Sequence, residues 1–379
     1  MRQDLKYDAA IVGGGLAGLA GAILLASRGH RVVLLEKNHY PFHRVCGEYI
    51  SEESRPFLQS LGICVDPPEI PAISRLQVTA PNGASLEMPL DPGGFGVSRY
   101  RLDAALAAQA RAAGADLLEG IRVEEIGFGN NMHFLKTGSH TIEATTVLGC
   151  FGKRSNLDLK WKRPFALAKP NKLNHFVGIK YHIRCDQPKD RIALHNFPGG
   201  YCGISAVEED RFNLCYLTRA SNLGRCNNSI PRMESEILCS NPWLKKIWSA
   251  ADFLMEAPVS ISQISFALKS RVEDHVLMVG DAAGLITPLC GNGMSMALHA
   301  AKIAATLADR FLKQELGRAE MEKQYQRQWS AEFATRLRAG RMIQYCFGDP
   351  MLSKLLVETG RRLPAVSRYL VRQTHGQPF

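Results

Sequence analysis

The stretch YDAAIVGGGLAGLAGAILLASRGHRVVLLE, residues 7–36, decides the fold. Its first six residues are a nearly apolar run that predicts a buried strand, and Gly13 to Gly18 then follow the pattern G-x-G-x-x-G. A helical pattern ends near Gly29, and a second apolar strand ends at Glu36, 18 residues after Gly18. Strand, glycine loop, helix and terminal acid in this order are typical of a βαβ unit that binds a dinucleotide.

Each part of this unit has a physical reason. Gly13 allows the tight turn, Gly15 lets the backbone approach a pyrophosphate, and Gly18 lets the helix pack close to the strands. The helix N-terminus presents free N–H groups to phosphates, and Glu36 can accept hydrogen bonds from ribose hydroxyls. The pattern does not say which dinucleotide binds. The cofactor-binding residues predicted here are Gly13, Gly15, Leu16, Ala17, Gly18, Glu36 and Lys37.

Length and composition narrow the class of protein. A chain of 379 residues predicts two or three domains, and 46% hydrophobic with 22% charged residues excludes a disordered or collagen-like chain. The ten cysteines include no CxxC pair, so we expect no metal site and reduced thiols in a cytoplasm. Residues 9–26 are apolar enough to imitate a membrane span, but their glycines belong to the dinucleotide pattern.

Positive charge is concentrated towards the C-terminus. The net charge is +10, and residues 301–379 contain 14 Lys/Arg against 7 Asp/Glu. This region favours an acyl carrier, a redox partner or an anionic membrane surface as partner, or simply solvated helix faces; no nucleic acid is expected. We therefore expect a cytoplasmic protein, with a peripheral position at the inner membrane face as the alternative.

A second strand–loop–helix unit lies about 270 residues downstream. An apolar strand over 274–279 meets Gly280-Asp281-Ala282-Ala283-Gly284, then Pro288 to Gly293, and a helix is predicted over 294–312. An NAD-only domain gives no reason for this unit. A longer cofactor does, because it needs a carboxylate for a ribityl chain and a helix N-terminus for a flavin ring.

Together the two units resemble the FAD-dependent enzymes built like para-hydroxybenzoate hydroxylase, and more closely their geranylgeranyl reductase-like branch. The resemblance covers most of residues 5–312. It implies FAD as cofactor, with Asp281 at the ribityl chain and the 291–293 loop at the pyrimidine end of the flavin. It assigns to the cofactor Gly280, Asp281, Pro288, Gly291, Asn292, Gly293 and Met294.

Shorter matches extend the resemblance. The segment RVCGEYIS, residues 44–51, is similar to a reductase-branch motif whose arginine lies near the pyrophosphate and whose cysteine lies near the ring. This implies cofactor contacts for Arg44, Cys46 and Gly47, although a cysteine between small residues can also be a packing residue. By the same resemblance Arg99 and Val123 contact FAD. No catalytic triad is present, and the candidate catalytic residues are Cys46 and Tyr201.

Two segments depart from the family pattern. Phe151 stands where the family usually has an aspartate that organises FAD and NAD(P)H, so NAD(P)H as the electron donor is uncertain and another protein is the alternative. After Tyr201 the family's aromatic motif has lost its tryptophan and proline to Gly203 and Ser205. That change predicts a wider pocket and argues against a halogenase.

The middle of the chain predicts an inserted antiparallel sheet. Residues 74–90 alternate around Pro81-Asn82-Gly83, a hairpin signal, and short strands are predicted over 173–183, 191–197, 201–207 and 211–218. His195, Phe197, Tyr201 and Tyr216 are cavity candidates by type, with core positions as the alternative. The basic residues of 151–163 predict either a phosphate site or a solvated loop.

The expected fold is therefore α/β, with a discontinuous Rossmann-like FAD domain (1–73, 95–155 and 270–312), an inserted antiparallel β-sheet substrate domain (74–94 and 156–269) and a helical C-terminal region (313–379). The expected function is an FAD-dependent oxidoreductase acting on an isoprenoid, fatty-acyl or polyketide-derived substrate by hydride transfer to or from a carbon–carbon double bond. Two alternatives stay open. One is an aromatic monooxygenase that uses a C4a-hydroperoxyflavin; the other is an FAD-binding accessory protein that acts on a protein partner.

Overall fold

A computed structural model gives the fold. It describes residues 5–66, 68–138, 140–169, 171, 174–287, 291–363, 365, 367, 371 and 376–379. The strands are β1 (Leu5–Val12), β2 (Val32–Glu36), β3 (Tyr49–Ser51), β4 (Ala72–Thr79), β5 (Ser85–Gly96), β6 (Asp116–Glu119), β7 (Val123–Gly129), β8 (Met132–Thr137), β9 (Thr141–Gly149), β10 (Phe176–Arg184), β11 (Arg191–Phe197), β12 (Gly200–Val207), β13 (Arg211–Arg219), β14 (Asp252–Phe253), β15 (Val259–Ile264), β16 (Val272–Glu273) and β17 (Val276–Met278).

The helices are α1 (Leu16–Ala26), α2 (Arg55–Ser60), α3 (Arg99–Ala112), α4 (Asn156–Lys160), α5 (Pro164–Leu167), α6 (Ala220–Arg225), α7 (Ile230–Glu236), α8 (Pro242–Ala250), α9 (Gly293–Leu312), α10 (Arg318–Cys346) and α11 (Pro350–Arg362). Among the residues that the structure describes, single 3₁₀ turns lie at 52–54, 238–240 and 280–282.

The first sheet has the strand order β16-β17-β9-β1-β2-β6, and β17, β9, β1, β2 and β6 run parallel. Its central strands β1 and β9 are apolar and buried towards their carboxyl ends, at residues 9–12 and 147–148, where both faces are covered. All five residues of β2 are buried, and α1, α3 and α9 pack beside the sheet. The glycine loop after β1 therefore lies at the carboxyl edge of this sheet, where ligands bind in such folds.

The second sheet has the order β14-β10-β13-β12-β11-β4-β5-β3, with β15 along β10. Its neighbours are antiparallel except β11 and β4, which are parallel. One face carries an apolar cluster shared with the helices of 220–250, and the other faces the first sheet across a cavity. The cluster includes Val177, Ile179, Ile183, Phe197, Tyr216, Met233, Leu244 and Ile247.

The C-terminal helices pack on both sheets. Along α10, Met321, Tyr325, Trp329 and Phe333 recur every four residues and are buried, as one apolar face of a helix requires. The Tyr325 hydroxyl donates to the carbonyl of Met278 in β17. Within the described part of the chain, no helix combines the length and apolarity needed to span a membrane.

The α/β prediction is confirmed, with a Rossmann-like sheet, a second mainly antiparallel sheet and a helical C-terminal region. The four predicted middle strands correspond to β10–β13, and the predicted 294–312 helix is α9. The predicted domain boundaries stay a proposal. Helices α2 and α4–α8 were not predicted. Those that cover the second sheet, α6–α8, are short, and their apolar residues become a core only against the sheet.

Candidate active site

A cavity of about 800 Å³ opens between the two sheets. It is bordered by the ends of β1 and β2, by the 42–49 loop, by the start of α9 and by residues of β11–β13. Most predicted cofactor residues border this cavity: Gly13, Gly15, Leu16, Ala17, Glu36, Lys37, Arg44, Cys46, Gly47, Arg99, Val123, Gly280, Asp281, Gly291, Gly293 and Met294. Gly18 and Asn292 lie behind it, and Pro288 lies outside the described residues.

The glycine loop is shaped by close backbone approaches. Gly13 has φ +102°, and a Cβ there would lie 2.5 Å from the carbonyl oxygen of Cys150. A Cβ on Gly18 would overlap the carbonyl of Gly13, so this glycine serves the packing of α1 on β1. At Gly15 the nearest atom to a Cβ would be the Arg99 guanidinium, 3.6 Å away. The fold therefore requires Gly13 and Gly18, whereas the space at Gly15 is left for a ligand.

Glu36 closes the other side of this loop. It is buried at the end of β2, and its carboxylate accepts the Gly14 N–H at 2.8 Å. Arg44 donates to the same carboxylate oxygen at 3.0 Å and also to the Gly14 carbonyl at 3.0 Å. The hydroxyl of Tyr40 donates to that carbonyl as well. These contacts hold Glu36 at the cavity edge, where a ribose would be recognised.

One carboxylate positions two arginines. Asp103 is fully buried on α3 and accepts hydrogen bonds from Arg44 Nε at 2.9 Å and from Arg99 Nε at 2.7 Å. Burial alone would lower the pKa of Arg99, but the Asp103 charge and the nearby Cys46 thiol raise it overall. Both predicted arginines are therefore fixed cations beside the glycine loop.

Cys46 lies in the middle of the cavity wall and is partly buried. Its carbonyl accepts a hydrogen bond from Asn213 Nδ2 at 3.1 Å, which ties the loop to β13. The thiol is close enough to Arg99 to help raise the pKa of that guanidinium. At the next residue, Gly47, a Cβ would meet no atom within 4 Å. The loop thus presents a thiol beside open space.

The downstream loop is held from behind by two buried cations. Lys269 donates to the carbonyl of Asp281 at 2.8 Å and to that of Lys153 at 3.0 Å. Burial lowers the pKa of Lys269 to about 8, although Asp281 and Asp158 act in the opposite direction. Both hydrogen bonds go to carbonyls, so Lys269 leaves the Asp281 carboxylate available to the cavity.

Arg163 is the second buried cation. It donates to Asp158 at 2.7 Å, to the carbonyl of Ala282 at 3.0 Å and to Ser270. It belongs to the basic residues of 151–163, for which a phosphate site or a solvated loop was predicted. For Arg163 both interpretations are wrong, because its side chain is only 1% exposed and its two terminal nitrogens donate to groups inside the protein.

The start of α9 faces the same cavity. Gly291 has φ +65°, and a Cβ there would lie 2.6 Å from the ring of Tyr49. Asn292 is the N-cap of α9, and Gly293 and Met294 begin the helix at the cavity wall. The positive end of a 20-residue helix is therefore directed at the cavity, which favours negative charge there.

The family follows from a direct comparison. The sequence model of the FAD binding domain family matches residues 6–331. The chain belongs to this FAD-binding family. FAD is therefore its cofactor, as predicted, and the protein is an FAD-dependent oxidoreductase.

Its relatives differ in what they are called. The flavoprotein is 26% identical over 353 residues to digeranylgeranylglycerophospholipid reductase 1 of Methanopyrus kandleri, and the alignment covers 87% of each chain. It is 26% identical over 360 residues to conditioned medium factor receptor 1 of Dictyostelium discoideum, covering 86% of this chain and 68% of that protein. The solved structure of the flavin-dependent brominase Bmp2 matches with a TM-score of 0.77 at 18% identity, over 97% and 93% of the two chains. This last likeness shows the fold alone.

The described residues fit FAD. Gly15 and Gly47 leave room where backbone must approach a ligand, and α1 begins at the cavity with no side chain capping its N–H groups. We expect the pyrophosphate at α1, the ribityl chain at Asp281 and the flavin ring between Cys46 and the start of α9. These residue roles are predictions from the geometry and the family pattern.

Beyond the predicted ring position the cavity becomes apolar. This part is bordered by Ile192, Leu194, Tyr201, Leu217, Ile261 and Leu285. Tyr201 is buried, and its ring meets Phe347 at the end of α10 edge to face, with centroids 5.7 Å apart. A Cβ on Gly203 would lie 3.5 Å from Leu194. Gly203 therefore leaves open the space that a larger side chain would occupy.

The other aromatic candidates face elsewhere. His195 accepts or donates a 3.0 Å hydrogen bond with Thr79 and stacks on Trp243 of α8, and burial lowers its pKa to about 3. Phe197 packs in the helix-covered core. Tyr216 borders the cavity, but its hydroxyl donates to Glu234 on the helical side. The prediction that His195 and Phe197 face the cavity was therefore wrong, because the register of the strand turns both side chains to the opposite face of the sheet.

Phe151 follows β9 and borders the cavity where the family aspartate is expected. A Cβ on Gly149 would lie 3.0 Å from its ring, and the ring lies 6.2 Å from that of Trp161. An aromatic ring thus occupies the place of a carboxylate. The role of NAD(P)H as electron donor stays a prediction.

Sequence reasoning missed three residues that hold the site together: Asp103, Tyr40 and Lys269. Asp103 had a readable signal, since Arg99 and Asp103 are four residues apart on one helix and can pair. Tyr40 and Lys269 donate hydrogen bonds to backbone carbonyls. Because every residue has a backbone carbonyl, the sequence does not show which one will be the partner.

Proposed function

We propose that this FAD-dependent oxidoreductase reduces a carbon–carbon double bond of an isoprenoid or similarly apolar substrate by hydride transfer to one carbon, while the other carbon takes a proton from solvent, or catalyses the reverse reaction. The observation that carries the proposal is the apolar continuation of the FAD cavity along β11–β13. Binding of a methyl-branched or straight hydrocarbon chain here is favourable, because each Å² of apolar surface that is removed from water stabilises the complex by about 25 cal/mol.

The residues of the chain bind, orient and exclude water, while FAD when bound supplies the hydride chemistry. Leu194, Leu217 and Leu285 border the apolar part and favour a substrate without charge. Tyr201, whose ring packs on Phe347, also borders this part of the cavity. Cys46 borders the same cavity, beside the predicted ring position, so it is the candidate to contact the reacting carbons.

Two further observations support a reductase over a hydroxylase. The relative from Methanopyrus kandleri, aligned over 87% of each chain, is called a digeranylgeranylglycerophospholipid reductase. Phe151 replaces the aspartate that the hydroxylase pattern uses to organise FAD and NAD(P)H. We propose a separate redox protein as the electron donor.

The test is anaerobic. The FAD-loaded protein is reduced with dithionite and mixed with a geranylgeranyl lipid, and the product is analysed by mass spectrometry. We expect flavin reoxidation that depends on the lipid and a product heavier by two hydrogen atoms for each reduced double bond. No reoxidation with the lipid, together with a hydroxylated product from a phenol once oxygen is admitted as oxidant, would instead establish the monooxygenase.

A further inference from the structure

The segment 45–48, which carries Cys46, is tied at every residue to a different part of the fold. The Val45 carbonyl accepts from Lys153 at 3.1 Å, the Cys46 carbonyl from Asn213 at 3.1 Å, and the Gly47 carbonyl from Ser205 at 3.1 Å. Glu48 ends the segment. Three of these anchors, those at Cys46, Gly47 and Glu48, come from the second sheet, although the segment leaves from the nucleotide half.

Glu48 is the most constrained of the four. It is fully buried and has φ +54°, a left-handed conformation that side chains other than glycine rarely adopt. One carboxylate oxygen accepts a hydrogen bond from the backbone N–H of Arg99 at 2.7 Å and another from Lys180 Nζ at 2.5 Å. The other oxygen is 2.7 Å from His182 Nε2. Burial would raise the pKa of Glu48, but Lys180 and then His182 lower it overall, so the carboxylate is charged at neutral pH.

Lys180 and His182 lie on the face of β10 turned towards this segment. Their neighbours on the strand, Ile179 and Tyr181, pack on the opposite, helix-covered face. Lys180 is fully buried and His182 nearly so. Two basic side chains from the substrate-side sheet thus converge on one carboxylate from the 42–49 loop.

Such a cluster is a poor way to gain stability. The free energy needed to remove the charges from water is about as large as the free energy gained from their attraction. Proteins with apolar residues of similar volume in such positions are therefore often equally stable. What a buried ionic cluster does provide is a single allowed geometry, since any shift leaves a charge without its partner. The geometry that this cluster defines is the position of the loop two residues after Cys46.

We propose that Glu48, Lys180 and His182 form an ionic clamp that positions the Cys46 thiol at the flavin face of the cavity. They are positioning residues and act through the loop. The proposal deepens the proposed function, because it states how the substrate-side sheet and the cofactor half are aligned. It requires that Cys46 lies beside the flavin, but it does not require a particular substrate.

The test measures the rate at which iodoacetamide alkylates Cys46 in the FAD-loaded protein, by mass spectrometry of its peptide. Glu48→Gln, Lys180→Met and the double variant are compared with the wild type, well below their unfolding temperatures. We expect each to change the alkylation rate by about tenfold or more, because breaking a buried pair releases the loop. The double variant removes the carboxylate together with its lysine partner, so it should regain thermal stability relative to the single variants and still show the altered rate.

Glu53→Gln is the matched control. Glu53 is a buried carboxylate five residues further on, and it pairs with Arg336 of α10 at 3.2 Å. This variant should lose stability and keep the wild-type alkylation rate. The clamp is refuted by a folded double variant with the wild-type rate, or by an equal change in Glu53→Gln. Neither outcome depends on substrate turnover, so failure of the clamp and failure of the reductase assignment are distinguishable.

Discussion

Lys269 Nζ donates a 2.8 Å hydrogen bond to the carbonyl oxygen of Asp281, from a position that is 4% exposed. A side chain twelve residues upstream thus holds the residue predicted to bind the ribityl chain. Because burial lowers the pKa of Lys269 to about 8, this contact has a consequence for stability that can be measured.

Between about pH 8 and 10.5 the unfolded chain binds the Lys269 proton and the native protein does not. The contribution of Lys269 to stability therefore rises with pH in this window, and below it the cost of the buried charge is fully present. We expect the unfolding free energy of the wild type minus that of Lys269→Met to increase by about 2–3 kcal/mol from pH 7 to pH 10. Urea titrations at both pH values measure it. A constant difference would mean that Lys269 keeps its ordinary pKa.

Gly15→Val should abolish FAD binding and leave the fold intact. The nearest protein atom to a Cβ at Gly15 is 3.6 Å away, so the chain has room, while the branched side chain blocks the approach of the pyrophosphate. Flavin absorbance per protein after purification measures the loss. Gly21→Ala is the control: it lies on the same helix with its nearest neighbour also at 3.6 Å, and should stay yellow. A yellow Gly15→Val protein would contradict the proposed phosphate site.

Asp281→Asn should weaken FAD affinity by about 10- to 100-fold, because a charged hydrogen-bond acceptor becomes a neutral amide. Reconstitution of the apoprotein with FAD, followed by flavin fluorescence, gives the dissociation constant. Asp274→Asn changes an exposed carboxylate a few residues away and should bind as the wild type. Equal affinities for both variants would remove Asp281 from the site.

Gly203→Trp should limit the protein to substrates with shorter chains. The indole would fill the space that Gly203 leaves between Leu194 and the rest of the apolar cavity. We expect activity on long isoprenoid lipids to fall by at least about tenfold, with short-chain substrates less affected. Gly203→Ala, whose Cβ meets only ordinary contacts, should behave as the wild type. A tryptophan variant with an unchanged chain-length profile would place the substrate elsewhere.

Cys46→Ser should retain FAD and alter turnover. The substitution keeps a small polar side chain beside Arg99, and the loop anchor at Asn213 is a backbone contact that it does not touch. Single-turnover reoxidation of the reduced protein by substrate measures the effect. Cys215→Ser, on the same cavity wall, is the matched control. Wild-type kinetics in Cys46→Ser would reduce Cys46 to a packing residue.

Much of the fold was readable from local patterns. The G-x-G-x-x-G segment predicted β1, the turn and α1, and alternation predicted β10–β13 to within a few residues. These features depend on backbone conformation and on periodic burial over short stretches, which residue types report directly. By contrast, α6–α8 are covers for one face of the second sheet, and the chain alone did not predict them.

The sequence by itself determined the FAD-binding unit, because tight turns and close backbone approach demand glycine at Gly13 and Gly18 and nothing else fits. Only the tertiary structure decided which face of β11 meets the cavity, and it turned His195 away and Leu194 inward. It also decided that Lys269 holds Asp281 and that Lys180 holds Glu48. Glu48 and Lys180 are 132 positions apart in the chain, and their buried charges are stable only where the folded backbone brings them together.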